Sequence, residues 1–166
     1  MIGRLVVGGL LAAAGVAAAT VGAEAAPPGA GPVSCLAVAR QVHAEGPRAA
    51  VARLSAEHRW DGLLDRIEAG EGACVRLAPA LKPGTDAATS EGLRLALGRA
   101  LQTAPAEVLR LGDQAFPLAE VCRDNAIEPS RAESRRFKAR ATAALKQVRA
   151  PALVARRDAC LRALGG

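Results

Sequence analysis

Aromatic side chains are nearly absent from this chain of 166 residues. Trp60, Phe116 and Phe137 are the only ones, and there is no tyrosine. Strands favour aromatic and β-branched residues, whereas this sequence is built of Ala, Leu, Arg and Glu, which are strong helix formers. The shortage therefore predicts an all-α fold. It also argues against a nucleic-acid partner, because modules that bind nucleic acid commonly stack bases on aromatic rings.

Sequence motifs for nucleophilic, metal or phosphate chemistry are absent as well. The chain has no Gly-x-Ser-x-Gly, no Ser-x-x-Lys, no His-Glu-x-x-His and no glycine-rich phosphate loop. We therefore expect no enzymatic activity, no catalytic residue, no cofactor and no metal.

The first 25 residues have the three parts of an export signal. Arg4 forms a short positive region, residues 5–19 are apolar or small, and Ala23-Glu24-Ala25 has the pattern that signal peptidase cleaves. We predict a Sec-type signal peptide at 1–25, cut after Ala25, with Ala23 as the alternative. The apolar run is about 15 residues against the about 20 of a spanning helix, so an uncleaved anchor is the second interpretation.

Two further segments follow the signal. Residues 26–33 are a Pro/Gly-rich spacer, and we interpret 34–166 as a single helical domain. No later stretch is apolar and long enough to cross a membrane, so no stable span is expected after cleavage. Because Cys35 follows the spacer and not the apolar run, a lipid anchor is disfavoured. The expected location is periplasmic or secreted.

Helix signals predict a compact array of eight or nine short antiparallel helices. The first is capped by Ser34, runs to about Glu45, and should bury Leu36, Val38, Ala39 and Val42. The best apolar stripe of the N-terminal half comprises Trp60, Leu63, Leu64 and Ile67. A helix over 72–81 contains Pro79, which should bend or end it.

The clearest helix start is Ser130-Arg131-Ala132-Glu133, which is a capping box preceded by Pro129. We predict that this helix runs to about Arg149. Its buried face should comprise Phe137, Ala141, Ala144, Leu145 and Val148.

Positive charge is concentrated at the C-terminal end. Residues 26–130 contain 11 basic and 13 acidic side chains, whereas residues 131–166 contain 10 basic and 2 acidic ones. Five basic residues form a stripe about 120° from the predicted buried face: Arg131, Arg135, Lys138, Lys146 and Arg149. One interpretation is solubility alone. The other is a surface that docks an anionic envelope component or an acidic protein, mainly through its long-range field.

The chain has four cysteines, Cys35, Cys74, Cys122 and Cys160. An even number in an exported protein indicates disulfides, and free buried thiols are one alternative. Zinc is another, but there is no Cys-x-x-Cys pair and no histidine pair nearby. Three pairings are possible. We favour 35–74 and 122–160, which join each half of the domain to itself.

A calcium loop is conceivable between Cys122 and the capping box, built from Asp124, Asn125 and Glu128. Calcium loops space their oxygen ligands alternately and include a glycine for the sharp turn. This stretch has neither feature, so we interpret it as a turn that ends one helix before the next begins.

Two other groups of polar residues contain side chains of the types that bind metal ions or act in hydrolysis. His43 and His58, with Glu45 and Glu57, belong to different predicted helices and show no metal-ligand spacing, so we interpret the histidines as solvated or capping residues. A row of acids at helical spacing could present the paired carboxylates of a glycosidase, but it alternates with arginines as a solvated face does. The row comprises Asp61, Asp65, Glu68 and Glu71.

Several stretches together resemble a loose group of small exported bacterial all-helical proteins of unknown function. They are WDGLLDRIEAG (60–70), KPGTDAATSEGLRLALGRALQTAPAEVLRL (82–111), VCRDNAIEP (121–129) and PALVARRDACLRAL (151–164). The resemblance covers most of the chain after the signal and implies the fold and the compartment. It implies no catalytic residue.

We expect a monomeric, exported, non-enzymatic binding or structural accessory protein of the cell envelope. It would dock anionic partners through the basic C-terminal helix, and an inhibitor or immunity-type binder of a secreted toxin is a subtype of this function. The alternative is a small envelope hydrolase that uses cleft carboxylates.

Overall fold

The computed structural model describes residues 32–123 and 129–165. Within these ranges the chain forms nine α-helices, two short 3₁₀ turns and no strand, which confirms the all-α class. The predicted signal peptide, residues 26–31 of the predicted spacer, the stretch 124–128 and Gly166 lie outside the described residues. The helices are α1 (Cys35–Glu45), α2 (Pro47–Ala56), α3 (Trp60–Glu68), α4 (Gly72–Leu81), α5 (Ala87–Ala100), α6 (Pro105–Arg110), α7 (Leu118–Val121), α8 (Arg131–Lys146) and α9 (Val154–Ala163).

Helix α1 begins where the sequence predicts, because the Ser34 hydroxyl caps it. Cys35 and Val38 are buried, but Leu36 is 64% exposed, so its predicted burial is wrong. The disulfide from Cys35 to Cys74 explains the difference. It turns Cys35 toward α4, and the next residue of an α-helix lies about 100° further around the axis, on the solvent side.

Helix α5 forms the middle of the fold and packs against α3. Trp60, Leu63 and Ile67 of α3 are buried, and Leu64 is half-buried. Six apolar residues of α5 and its C-terminal end are buried: Leu93, Leu95, Ala96, Leu97, Ala100 and Leu101. Pro79 does not stop α4, which ends at Leu81 and continues into a 3₁₀ turn at Lys82–Gly84.

A charged side chain is also buried in the fold. Arg94 of α5 is only 8% exposed. Its Nε donates to Glu91 Oε2 at 2.9 Å and its Nη1 donates to the carbonyl of Glu120 at 3.1 Å. The same guanidinium lowers the pKa of Glu91, chiefly through their hydrogen bond. Arg94 thereby connects α5 to α7 and keeps a buried charge paired.

Two disulfides connect elements within each half. Cys35 of α1 pairs with Cys74 of α4, and Cys122, directly after α7, pairs with Cys160 of α9. The Cα–Cα distances are 5.2 and 5.1 Å, within the range that a disulfide spans. This is the favoured pairing of the three that the sequence allows. Such bonds persist in oxidising, extracytoplasmic compartments.

Candidate functional site

Helix α8 starts with the reciprocal cap that its sequence predicts. The backbone N–H of Glu133 donates to the Ser130 hydroxyl at 3.2 Å, and the N–H of Ser130 donates to Glu133 Oε2 at 2.9 Å. The Ser130 hydroxyl, followed by its backbone N–H, holds the pKa of Glu133 below its ordinary value. The cap fixes where the helix begins and therefore the direction in which its charged side chains project.

Helix α8 lies on the outside of the fold and packs mainly on α6 and α9. Only Ala141 and Leu145 of its side chains are buried, and Phe137 is half-buried against the core. None of residues 131–140 is buried. The longest helix among the described residues thus contributes few side chains to the core and leaves most of its surface to solvent.

All five residues of the predicted basic stripe are exposed. Arg131, Arg135, Lys138 and Lys146 are on α8, but the helix ends at Lys146 and not near Arg149. Val148 is buried beyond the helix end, with its N–H bound to the carbonyl of Leu145 in a tight turn. Arg149 therefore lies on the segment between α8 and α9. Helical spacing does not determine its position relative to the four stripe residues on α8.

The basic residues of the two parts of the chain differ in their partners. Seven arginines of residues 32–123 form ion pairs with carboxylates: Arg53, Arg59, Arg66, Arg76, Arg94, Arg99 and Arg110. Of the ten basic residues within 129–165, only Arg156 and Arg157 do so. Eight cations there have no ion-pair partner in the described parts of the chain: Arg131, Arg135, Arg136, Lys138, Arg140, Lys146, Arg149 and Arg162. Within the described residues, these eight positive charges are therefore not neutralised by ion pairs.

Lys146 and Arg149 both line a cavity of about 280 Å³. Arg157, Asp158 and Leu161 of α9 line its other side. Sequence patterns do not distinguish Arg157, since spacing along α9 shows only that it shares a face with Leu161. Its position opposite Lys146 depends on how α9 folds back against α8, which no local pattern specifies.

The acidic row is divided between two places. Asp61, Asp65 and Glu68 line a second cavity, of about 270 Å³, where α3 packs on α5. Glu68 accepts from Arg99 Nη1 at 3.0 Å. Glu71 is not among the lining residues and accepts from Arg66 Nε at 2.7 Å. This arrangement gives the hydrolase alternative no additional support.

The remaining polar candidates do not converge. His43 and His58 are exposed, and Glu45 and Glu57 accept from Arg53 and Arg59. In the parts of the chain that the structure describes, no three His, Cys, Asp or Glu side chains are arranged to hold a metal ion. The calcium loop considered at Asp124, Asn125 and Glu128 falls on residues that are not described.

Comparison of the chain with protein-family models, curated proteins and solved structures finds no match. Among the described helices, none has the length and apolar character needed to cross a membrane.

Proposed function

We propose that this protein is an exported, non-enzymatic binding or structural accessory protein of the cell envelope, which docks an anionic partner through α8. One observation carries the proposal. Seven cations project from or directly follow a peripheral helix without ion-pair partners in the described residues: Arg131, Arg135, Arg136, Lys138, Arg140, Lys146 and Arg149. The two disulfides and the predicted signal support an envelope or secreted location.

The distribution of charge favours docking over solubility alone. Net charge keeps a protein soluble wherever on the surface it lies, and like charges grouped together repel one another. Residues 32–123 pair most of their arginines, whereas α8 pairs none of its cations within the described residues. A concentrated, one-sided field is what attraction of a polyanionic partner requires.

Adhesion to a surface fits α8 better than insertion into a membrane. An inserted helix needs a free apolar face, but Phe137, Ala141 and Leu145 of α8 contact the core, and its other apolar residues are all alanines. The cations would therefore contact headgroups or other anionic groups while the domain stays folded. We propose that the monomer is the active form.

Binding to lipid vesicles tests this proposal. The purified protein should bind vesicles with anionic headgroups at low salt, should release them as ionic strength rises, and should not bind neutral vesicles. The double variant Arg135→Glu/Lys138→Glu should bind more than about tenfold more weakly, since each basic residue near an anionic surface contributes about 1 kcal/mol.

The matched control is Arg40→Glu/Arg48→Glu. Both control residues are exposed arginines without an ion pair in the described residues, and they lie on α1 and α2, away from α8. This variant has the same total charge as the α8 variant and should bind anionic vesicles markedly better. Equal binding by the two double variants would show that only net charge matters and would contradict docking through α8.

A further inference from the structure

We infer that the cavity at the end of α8 is a binding pocket for the terminal phosphate group of an envelope lipid headgroup. This inference rests on the proposed function, because it assigns one specific contact to the surface proposed there. The cavity, of about 280 Å³, is lined by Lys146, Arg149, Arg157, Asp158 and Leu161.

Arg157 is the fixed part of this pocket. Its side chain is 18% exposed. Its Nη1 donates to the carbonyl of Val148 at 2.9 Å, and its Nε donates to Asp158 Oδ1 at 2.8 Å. These two bonds hold the guanidinium at the pocket wall, while its Nη2 has no acceptor among the described residues. A donor held in place this way loses little side-chain entropy when an anion binds.

Lys146 and Arg149 are the adaptable part. Both are exposed, and neither has a hydrogen-bond or ion-pair partner among the described residues. Their free ammonium and guanidinium groups can move toward an anion that Arg157 has oriented. Arginine and lysine are the residues that bind phosphate oxygens best, through charge-assisted hydrogen bonds.

The charge of the pocket selects the class of anion. Three cations and the carboxylate of Asp158 give a net charge of +2. A phosphate monoester carries about −1.5 to −2 near neutral pH and has three terminal oxygens. A diester or a carboxylate carries a single negative charge and would leave one positive charge of the pocket unneutralised. The pocket therefore fits a phosphate monoester, and the half-buried Leu161 adds an apolar wall for the group that carries it.

The pocket can be tested apart from the rest of α8. Lys146 is about 22 Å along the helix from Arg131, at a rise of 1.5 Å per residue, which is about twice the Debye length at 0.1 M salt. Charge removal at the far end of α8 should therefore weaken general attraction without disturbing the pocket. Arg157 is unsuitable for the test, because its variants would also lose the bond to Val148.

The experiment compares vesicles of phosphatidic acid, a monoester, with vesicles of phosphatidylglycerol, a diester, at matched surface charge and 0.1 M salt. The unmodified protein should prefer the monoester by at least about tenfold, since one additional charge-assisted hydrogen bond contributes on that order. Lys146→Gln/Arg149→Gln should abolish the preference. Arg131→Gln/Arg135→Gln removes the same charge and should weaken binding to both lipids while keeping the preference.

The outcomes separate the two proposals. No binding to either lipid contradicts docking itself, whereas binding without a monoester preference overturns only the pocket. A preference that survives in Lys146→Gln/Arg149→Gln also overturns it. Glycerol 1-phosphate is added as a soluble competitor at constant ionic strength. If it displaces the protein at a concentration equal to that of the lipid, the assignment to a lipid headgroup is wrong.

Discussion

Arg156 of α9 holds the carboxylate of Asp113 with both arms of its guanidinium. The distances are 2.8 Å from Nη1 to Oδ2 and 3.0 Å from Nη2 to Oδ1. The same side chain donates to the carbonyls of Leu109 and Leu111, each at 2.7 Å. Arg156 therefore donates to carbonyl groups at the C-terminal end of α6 and connects α9 to α6. This contact is made near the N-terminal end of α9, whereas Cys160 and its disulfide lie nearer the C-terminal end.

We predict that Arg156→Ala lowers the free energy of unfolding by about 2–3 kcal/mol, because hydrogen bonds to a charged group contribute about that much and two carbonyls lose their donor. Urea denaturation measures the change. Arg162→Ala is the control, since Arg162 is exposed on the same helix without an ion pair in the described residues, and it should change stability by no more than about 0.5 kcal/mol. Equal losses in both variants would contradict the role given to Arg156.

The sequence does not distinguish Arg156 from its neighbour Arg157. They are adjacent cations on one predicted helix, yet one binds Asp113 and the other lines the cavity with Lys146. Arg94 is a similar case in part, because Glu91 is a local partner three residues earlier but the sequence gives no sign that the carbonyl of Glu120 in α7 will also accept from it. Such roles depend on contacts between residues far apart in the chain, which local patterns do not encode.

The predictions that the structure confirms depend on interactions between residues that are close together in the sequence. Ser34 and Ser130 cap helices as predicted, because their hydroxyl groups accept hydrogen bonds from nearby backbone N–H groups. The burial of α5 follows from apolar periodicity. The two failures in α1 and α8 have different causes: the Cys35–Cys74 disulfide sets the rotation of α1, whereas α8 ends in a tight turn in which the N–H of Val148 binds the carbonyl of Leu145.

The disulfides should be demonstrable in the protein itself. Peptide mapping without reduction should recover Cys35 joined to Cys74, and Cys122 joined to Cys160. Cys122→Ser/Cys160→Ser should lower the free energy of unfolding by about 4 kcal/mol, the value that chain entropy gives for a loop of this length. Four thiols that react with an alkylating reagent in the native protein, or a Cys74–Cys122 peptide, would contradict this pairing.

Because of the cap of α8, the free energy of unfolding should decrease as the pH is lowered into the acid range. The pKa of Glu133 is lowered in the folded protein. The ionised carboxylate therefore stabilises the folded state fully above the pKa of the unfolded chain, and this stabilisation is lost as pH falls through the lower pKa of the folded state. Urea denaturation between about pH 6 and pH 3 should show a steeper loss of stability for the unmodified protein than for Glu133→Gln. Asp86, whose pKa Thr89 also lowers, keeps part of the dependence in that variant. Identical pH profiles would mean that the Glu133 cap does not form in solution.

If residues 1–25 are an export signal, as the sequence predicts, the mature protein has a defined N-terminus. Protein recovered from the envelope of an expressing bacterium should begin at Ala26, or at Glu24 if cleavage follows Ala23. Mass spectrometry of the intact protein distinguishes these forms from the full chain. Recovery of the full chain in the membrane fraction would instead support the uncleaved anchor.

The last prediction separates a role of the α8 cations in folding from a role in docking. If they serve folding, their removal should destabilise the domain. If they serve a partner, Arg135→Gln/Lys138→Gln should leave the melting temperature unchanged, or raise it slightly at low salt by relieving repulsion, and added salt should cancel that gain. Arg99→Gln is the comparison, since Arg99 is paired with Glu68 across α3 and α5, and exposed pairs of this kind contribute at most about 1 kcal/mol.

The two variants should therefore move in opposite directions at low ionic strength. A loss of stability in Arg135→Gln/Lys138→Gln as large as in Arg99→Gln would assign these cations to the fold and remove the main support for docking. Unchanged or increased stability, together with weaker vesicle binding, would mean that the domain keeps a charge on α8 that its own folding does not need. That combination is what a surface retained for an anionic partner predicts.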